Sequence, residues 1–409
     1  MNWRISMILL GRIASIALAL AFAHGPAAAQ GSYKDPGITD TQIKLGGSYP
    51  FSGPGSAYGA VYDGVKAYFD LVNSRGGVKG RKIESIVLDD AYQPSKVVAN
   101  VRQLVEQDKV FAIFNIGGTA HNLAVADYIL RNKIPHLYLN TGAIVFAQDR
   151  KKFPYTLIGI PAYATESAAF AQYIKQEKPN AKVAVLYQND PFGQDLLEPF
   201  EAAAKRQGVH IVAKEPYNAT EPSVDSQVSK LARSGADVFV SFTIPKFAAQ
   251  AIRKAAELNW KPMQLLTSVS ASTELVLKPA GLAGSQGIIS TAFLKDPSDP
   301  ASASDPAVKE YVAALKQFVP NANPADPLRA RGYALAQVMV KALEGMKAPS
   351  REALMQSALN MDTEIPMLLP GIRIQTSPTD ALPMKALYME RFQGERWVVL
   401  GKPLSPSLK

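Results

Sequence analysis

The sequence predicts an α/β fold made of two doubly wound units, each a parallel sheet with helices on both faces. Three observations carry this. Short runs rich in β-branched and aromatic residues alternate with segments of helical period from Gln42 to Leu139. The same alternation restarts after Pro161. Loops of Gly, Ser, Thr and Pro stand where each strand hands over to a helix. Strands that alternate with helices connect by right-handed crossovers, which makes the sheets parallel.

In the first unit, Ile43–Tyr49 reads as a strand, and Ser52–Ser56 is a Gly/Ser/Pro loop. Val61, Val65, Tyr68, Phe69 and Val72 then recur at helical spacing until Gly76-Gly77 stops the helix. Ile83–Leu88 is the next strand, closed by Asp89-Asp90. Pro94 opens a helix whose inner face is Val97, Val98, Val101, Leu104 and Val105. Val110–Phe114 and His136–Leu139 are strands, with Leu123, Ala126, Ile129 and Leu130 marking the helix between them. In the second unit, Lys182–Tyr187 is followed by an amphipathic helix from Gln194 to Arg206. Val209–Lys214, Val238–Phe242 and Leu265-Leu266 are further strands, and Pro245 starts a helix through Ile252 and Leu258.

The section from Gly287 differs. Ile288–Ala292 is a strand and Asp296–Asp305 a polar loop. Helices are expected at Val308–Phe318, Leu328–Glu344 and Arg351–Ala358, then antiparallel strands Ala386–Phe392 and Trp397–Leu400 around Gly394. These helices are too few to bury a core of their own, so the section is expected to divide between the two units. The expected limits are 38–159 with 289–365 for the first lobe, and 160–288 with 366–405 for the second.

Residues 1–29 have the layout of a secretory signal: Arg4 and Arg12, an apolar run Ile13–Ala23, and Pro26-Ala27-Ala28-Ala29 before Gln30. The run is too short to span a bilayer. Cleavage after Ala29 of the 409-residue chain leaves 380 residues, enough for two cores. The protein is thus expected to work in the periplasm, as a monomer. There is no cysteine, which excludes disulfides, thiolate ligands and a cysteine nucleophile. The net charge of +9 is scattered, with Arg150-Lys151-Lys152 its densest run, and does not make a nucleic-acid footprint.

Ligands of open parallel sheets sit beyond the carboxyl ends of the strands, where free helix N–H groups favour anions. The loops at those positions are Ser52–Tyr58, Ile116–Thr119, Asn140–Ala143, Gln188–Gly193 and Phe242–Pro245. Their small residues admit a ligand to the backbone, their hydroxyls add donors, and Tyr58, Phe192 and Phe242 offer apolar walls. Three such loops from one unit and two from the other point to a cleft between the lobes.

The loops resemble those of the type I periplasmic solute-binding proteins, in the branched-chain amino acid subgroup serving ABC importers. Four strings carry the likeness in order: Ser52-Gly53-Pro54 with Tyr58-Gly59, Asn73–Gly80, Leu88–Ala91, and Val185–Gly193. The resemblance implies two Rossmann-like lobes joined by three hinge strands and closing on a solute, which a membrane permease then receives. It also implies that Thr119 binds the solute's carboxylate, with Gly118 beside it, and that Thr141, Gly142 and Ala143 share the task. Tyr58 and Phe192 match wall positions, and Thr243 and Ser270 fall in second-lobe loops. Relatives that bind α-amino acids carry an acidic residue after the strand near Leu265-Leu266. Here the stretch reads Thr267-Ser268-Val269-Ser270, with Val269 on the acidic position. A buried ammonium without a partner is costly. The expected solute therefore keeps a carboxylate and lacks an amino group, as an aromatic or aliphatic acid does; a branched-chain amino acid is the runner-up.

No enzyme motif competes. His121, His136 and His210 lie far apart, and none has metal-ligand spacing. His136 reads as a packed strand residue and His121 as a solvated helix start. Gly53-x-Gly55 reaches Gly59 one residue too late for a dinucleotide loop. Ala283–Gly287 lacks the first glycine of a nucleophile elbow and precedes a strand. Asp89 and Asp90 point to opposite faces of a strand. No cofactor, metal or nucleic-acid partner is expected. A ligand-binding subunit of a sensory system is the alternative that the same fold serves.

Overall fold

The computed structural model describes residues 33–407. The expected signal segment lies outside the described residues. The first sheet holds β1 (Gln42–Tyr49), β2 (Lys82–Asp89), β3 (Ala112–Phe114), β4 (His136–Leu139) and β5 (Thr156–Ile158) in the order β2-β1-β3-β4-β5. All its pairings are parallel. Its connecting helices are α1 (Gly59–Ser74), α2 (Pro94–Glu106), α3 (Thr119–Asn132) and the single turn α4 (Val145–Gln148).

The chain then crosses into α5 (Tyr163–Glu177), β6 (Lys182–Gln188), α6 (Pro191–Gln207), β7 (His210–Tyr217), α7 (Asp225–Ala232), β8 (Val238–Phe242), α8 (Pro245–Glu257) and β9 (Met263–Leu266). A π-helical turn at Thr273–Leu277 and the short α9 (Lys278–Ala280) and α10 (Leu282–Ser285) lead to β10 (Ile289–Ala292). Next come α11 (Pro306–Phe318), α12 (Pro327–Glu344) and α13 (Arg351–Ala358). A small hairpin of β11 (Asp362–Thr363) and β12 (Ile374–Gln375) precedes β13 (Leu387–Gln393) and β14 (Arg396–Leu404). The second sheet runs β14-β13-β10-β9-β8-β6-β7. Its β6–β10 pairings are parallel, and β13 and β14 join antiparallel.

Helix starts follow local chemistry. Asp190, Asp305, Asp326 and Ser350 accept hydrogen bonds from free N–H groups of α6, α11, α12 and α13, and in the first three a proline follows at the first helical position. The helices of the third section pack on the first lobe: Ala67 and Leu71 of α1 share a buried cluster with Tyr311 and Leu315 of α11 and Tyr333 of α12. Its strands join the second sheet. The boundary expected at residue 289 falls inside that sheet, because Ile289 pairs with Leu265 of β9 and with Arg391 of β13. β10 thus stays with the second sheet, and the crossing follows it. No helix among the described residues is long and apolar enough to cross a membrane.

Candidate functional site

Each sheet reverses its strand order once, at β2-β1-β3 and at β7-β6-β8. Neighbouring loops diverge at such a switch point and leave a crevice at the carboxyl ends. The β1–α1 and β3–α3 junctions place Tyr58, Gly118 and Thr119 there; the β6–α6 and β8–α8 junctions place Gln188, Phe192 and Thr243.

Side chains from both sides converge there. Tyr58, Tyr92, Thr119, His121 and Thr141 come from the first lobe, Tyr163 from the crossing, and Gln188, Phe192, Tyr217, Thr243 and Ser270 from the second lobe. All are less than one-tenth exposed. The rings of Tyr58 and Tyr92 lie 6.3 Å apart, Tyr92 and His121 4.5 Å, and Tyr163 and Phe192 5.4 Å edge to face. Thr119 and Thr141 share a hydroxyl hydrogen bond of 2.8 Å. The Tyr217 hydroxyl donates to Gln188 Oε1 at 2.9 Å and accepts from the Ile244 N–H at 3.0 Å. Contacts cross the gap: the Tyr58 hydroxyl lies beside Ser270 and that of Tyr92 beside Gln188. Burial pushes both phenols up and keeps them neutral donors.

Most expected contacts fall in this group. Thr119 and Thr141 are joined as described. Gly118 caps α3 at φ +86°, where a Cβ would lie 2.3 Å from His121 Nδ1. Gly142 lets its loop lie against the crossing segment, since a Cβ there would meet Pro161 O at 2.4 Å. Ala143 is fully buried after it. Thr243 bonds Ser241 at 2.9 Å, and Ser270 donates to the Thr243 carbonyl. Two residues stand apart. Ser52 is exposed, its N–H and hydroxyl held by Asp89, so it pins its loop at the rim. Phe242 points into the second core, stacked 6.3 Å from Phe170 and edge-on 5.7 Å from Phe200. As the last residue of a strand buried on both faces, it belongs to the core and not to a cleft wall.

Sequence reasoning missed Tyr92, Tyr163, Glu166, Tyr217 and Arg331. Tyr92 had a signal, since it follows the carboxyl end of β2. Ala91 and Tyr92 both take left-handed φ values of 49° and 58°, a strained pair of the kind that clusters at binding sites. Asp90 holds them, accepting the Tyr92 N–H and the Ser48 hydroxyl at 2.8 Å each; burial pushes its carboxyl up to about 6. His121 is 2% exposed instead of solvated. Burial pushes its pKa down to about 4, so the ring is neutral at pH 7. His136 is packed as expected, 1% exposed and pushed down to about 3.

Val269 carries no carboxylate, but Glu166 of α5 brings one to the same turn. One of its oxygens accepts from Ser268 N at 3.2 Å, Ser268 Oγ at 2.6 Å and Thr291 Oγ1 at 2.7 Å. Its other oxygen is buried without a partner, as are Thr267 Oγ1, and Nε and Nη1 of Arg331. Native interiors rarely leave such groups unpaired. Among the described residues no cluster of three His, Cys, Asp or Glu side chains is placed to hold a metal.

A family model described as periplasmic binding protein matches residues 42–396. The chain belongs to the periplasmic binding proteins. Members of this family bind solutes and do not catalyse a reaction on them. The Leu/Ile/Val-binding protein homolog 7 of Brucella abortus (strain 2308) is 25% identical over 334 residues, covering 79% of this chain and 82% of that protein. Two solved structures share the fold of this periplasmic binding protein. A branched-chain amino acid ABC transporter protein from Thermus thermophilus with bound valine matches with a TM-score of 0.81 at 20% identity, over 90% of this chain and 98% of that one. A fatty acid ABC transporter substrate-binding protein from Thermomonospora curvata matches with a TM-score of 0.78 at 24% identity, over 92% and 95%.

Proposed function

We propose that this periplasmic binding protein captures a small carboxylate-bearing solute between its lobes and delivers it to the permease of an ABC importer after export. The observation that carries the reading is the set of buried polar atoms without partners in a wall built by the strand ends of both sheets. A solute supplies the missing partners, and its apolar body fits the Tyr58, Tyr92, Tyr163, Phe192 and Tyr217 rings. The free N–H groups of α3, the Thr119–Thr141 hydroxyls and the neutral His121 ring offer donors to a carboxylate. Ligand contacts to both lobes favour the closed arrangement over the open one. Micromolar capture needs about 8 kcal/mol, within reach of a few hydrogen bonds to charged oxygens plus buried apolar area.

The free oxygen of Glu166 favours a second reading, in which the solute also carries an ammonium group, as valine and leucine do. A thermal-shift screen of valine, leucine, benzoate and octanoate separates the two. A solute at about 100 times its dissociation constant stabilises by about 2.7 kcal/mol. Stabilisation by an acid without an amino group supports the first reading, and stabilisation by an amino acid alone supports the second. No shift with any of them overturns carboxylate capture.

A further inference from the structure

Arg331 is a buried cation next to the Tyr58 and Tyr163 walls of the cleft, and carboxylate capture as proposed does not use it. It lies on α12 and is 5% exposed. Its Nη2 donates to the Ser268 carbonyl at 2.7 Å, which ties the first lobe to the turn after β9. Its Nε and Nη1 have no partner. Among the described residues no carboxylate comes within ion-pair distance of it. Its ionisable neighbours are Tyr58 and Tyr163, both neutral phenols, and the acids Glu166 and Asp326. Tyr58 and Tyr163 are walls of the cleft, and Tyr163 also neighbours Thr141. Beside the guanidinium is a cavity of about 40 Å³, whose polar lining includes Ser268, Thr291 and Glu390. That volume holds a functional group or a few waters, not a whole organic molecule.

A buried guanidinium left unpaired is among the costliest arrangements in a protein interior. Its planar fork is matched to a carboxylate or another oxygen acceptor. The nearby acids do not meet that need: none lies within ion-pair distance, and Glu390, which lines the same cavity and feels the guanidinium, is pushed well above the ordinary carboxylate range by burial. Glu166 spends one oxygen on Ser268 and Thr291, while Asp326 caps α12 and binds Ser272 and Arg329.

We propose that Arg331 is a specificity-determining residue of the cleft that takes a second acceptor group of the solute. The solute then presents oxygen at two places, one to the Thr119–Thr141 hydroxyls and one to Arg331. This rests on the carboxylate-capture reading and narrows its solute class to dicarboxylates or acids with a further oxygen acceptor.

The test compares matched pairs by titration calorimetry: octanoate against octanedioate, and benzoate against terephthalate, on the wild-type chain and on Arg331→Met. The two-ended member of at least one pair binds the wild type more tightly by about tenfold or more, the worth of a hydrogen bond to a charged group, and Arg331→Met removes that preference. If Arg331→Met does not fold, Arg331→Lys serves, with a reduced preference expected from its single point charge. Equal affinity within both pairs, or a preference that survives substitution, overturns the proposal and assigns the free N–H groups to internal water. If the one-ended acids bind and the two-ended ones do not, this proposal alone fails. If no member of either pair binds while valine or leucine does, this proposal alone fails; if valine and leucine fail as well, carboxylate capture fails with it.

Discussion

Single side chains make the sharpest claims about the cleft. Asp195 of α6 reaches across to accept the Ile144 N–H at 3.3 Å, directly after the Thr141–Ala143 loop. Burial, with Glu198 adding to it, pushes its carboxyl up from 3.8 to about 7. An acid raised in the folded form binds a proton that the unfolded form has released. Stability therefore weakens as pH rises from about 4 to about 7, and levels off above. Asp195→Asn keeps an acceptor without the charge, so the melting temperature measured from pH 4.5 to 8 should fall less steeply in that variant than in the wild type. An equal slope would contradict the assignment. Thr119→Val removes one hydroxyl at nearly constant shape and leaves Thr141 without its partner. About tenfold weaker binding of whichever solute stabilises the wild type is expected by calorimetry, with a loss of about 1 kcal/mol in stability from the orphaned Thr141 hydroxyl. Phe242→Ala behaves in the opposite way. A core truncation costs about 3–5 kcal/mol in denaturant unfolding, while solute affinity changes little if Phe242 is no wall of the cleft.

At the scale of elements, the close crossing of α1 and α12 places Arg331. A Cβ on Gly64 would lie 1.9 Å from Arg329 O, and one on Gly332 1.8 Å from Val61 O. The two backbones touch where only glycines fit, and Arg331 is the neighbour of one of them. Gly332→Ala should cost about 1–3 kcal/mol by overpacking and weaken solute binding as α12 shifts; an unchanged melting temperature would show that the helices give way freely. Which elements the sequence revealed follows from the same physics. The strands β1, β2, β4, β6 and β8 are compact apolar runs with clear stops, and α1, α2 and α6 each bury one stripe. The helix α5 escaped because it is buried nearly all round, from Tyr163 to Ile174, so no polar face reveals its period. β5 spans three residues, β11 and β12 two each, and α7 buries only Val228 and Leu231, too little pattern to read. In the site, hydroxyls and glycines on strand-end loops were legible because their place follows from the α/β rule. Glu166 and Arg331 were not: they sit within helices, and only the packing of α5 and α12 against the turn after β9 brings them together.

For the whole molecule, two sheets with one switch point each face their loops toward a shared, buried and polar seam. The chain crosses between the lobes after β5, after β10 and before β13, and the proposed closure would bend these segments without breaking either sheet. Under the proposed capture, what the seam offers a solute is partners for its unpaired donors and acceptors. The most direct test is small-angle scattering of the purified chain, with and without a saturating amount of whichever solute raises its melting temperature, followed by recovery of that solute. A smaller radius of gyration with the solute recovered unchanged is the predicted result. An unchanged radius at saturation, or a solute converted to product, would contradict capture by closure.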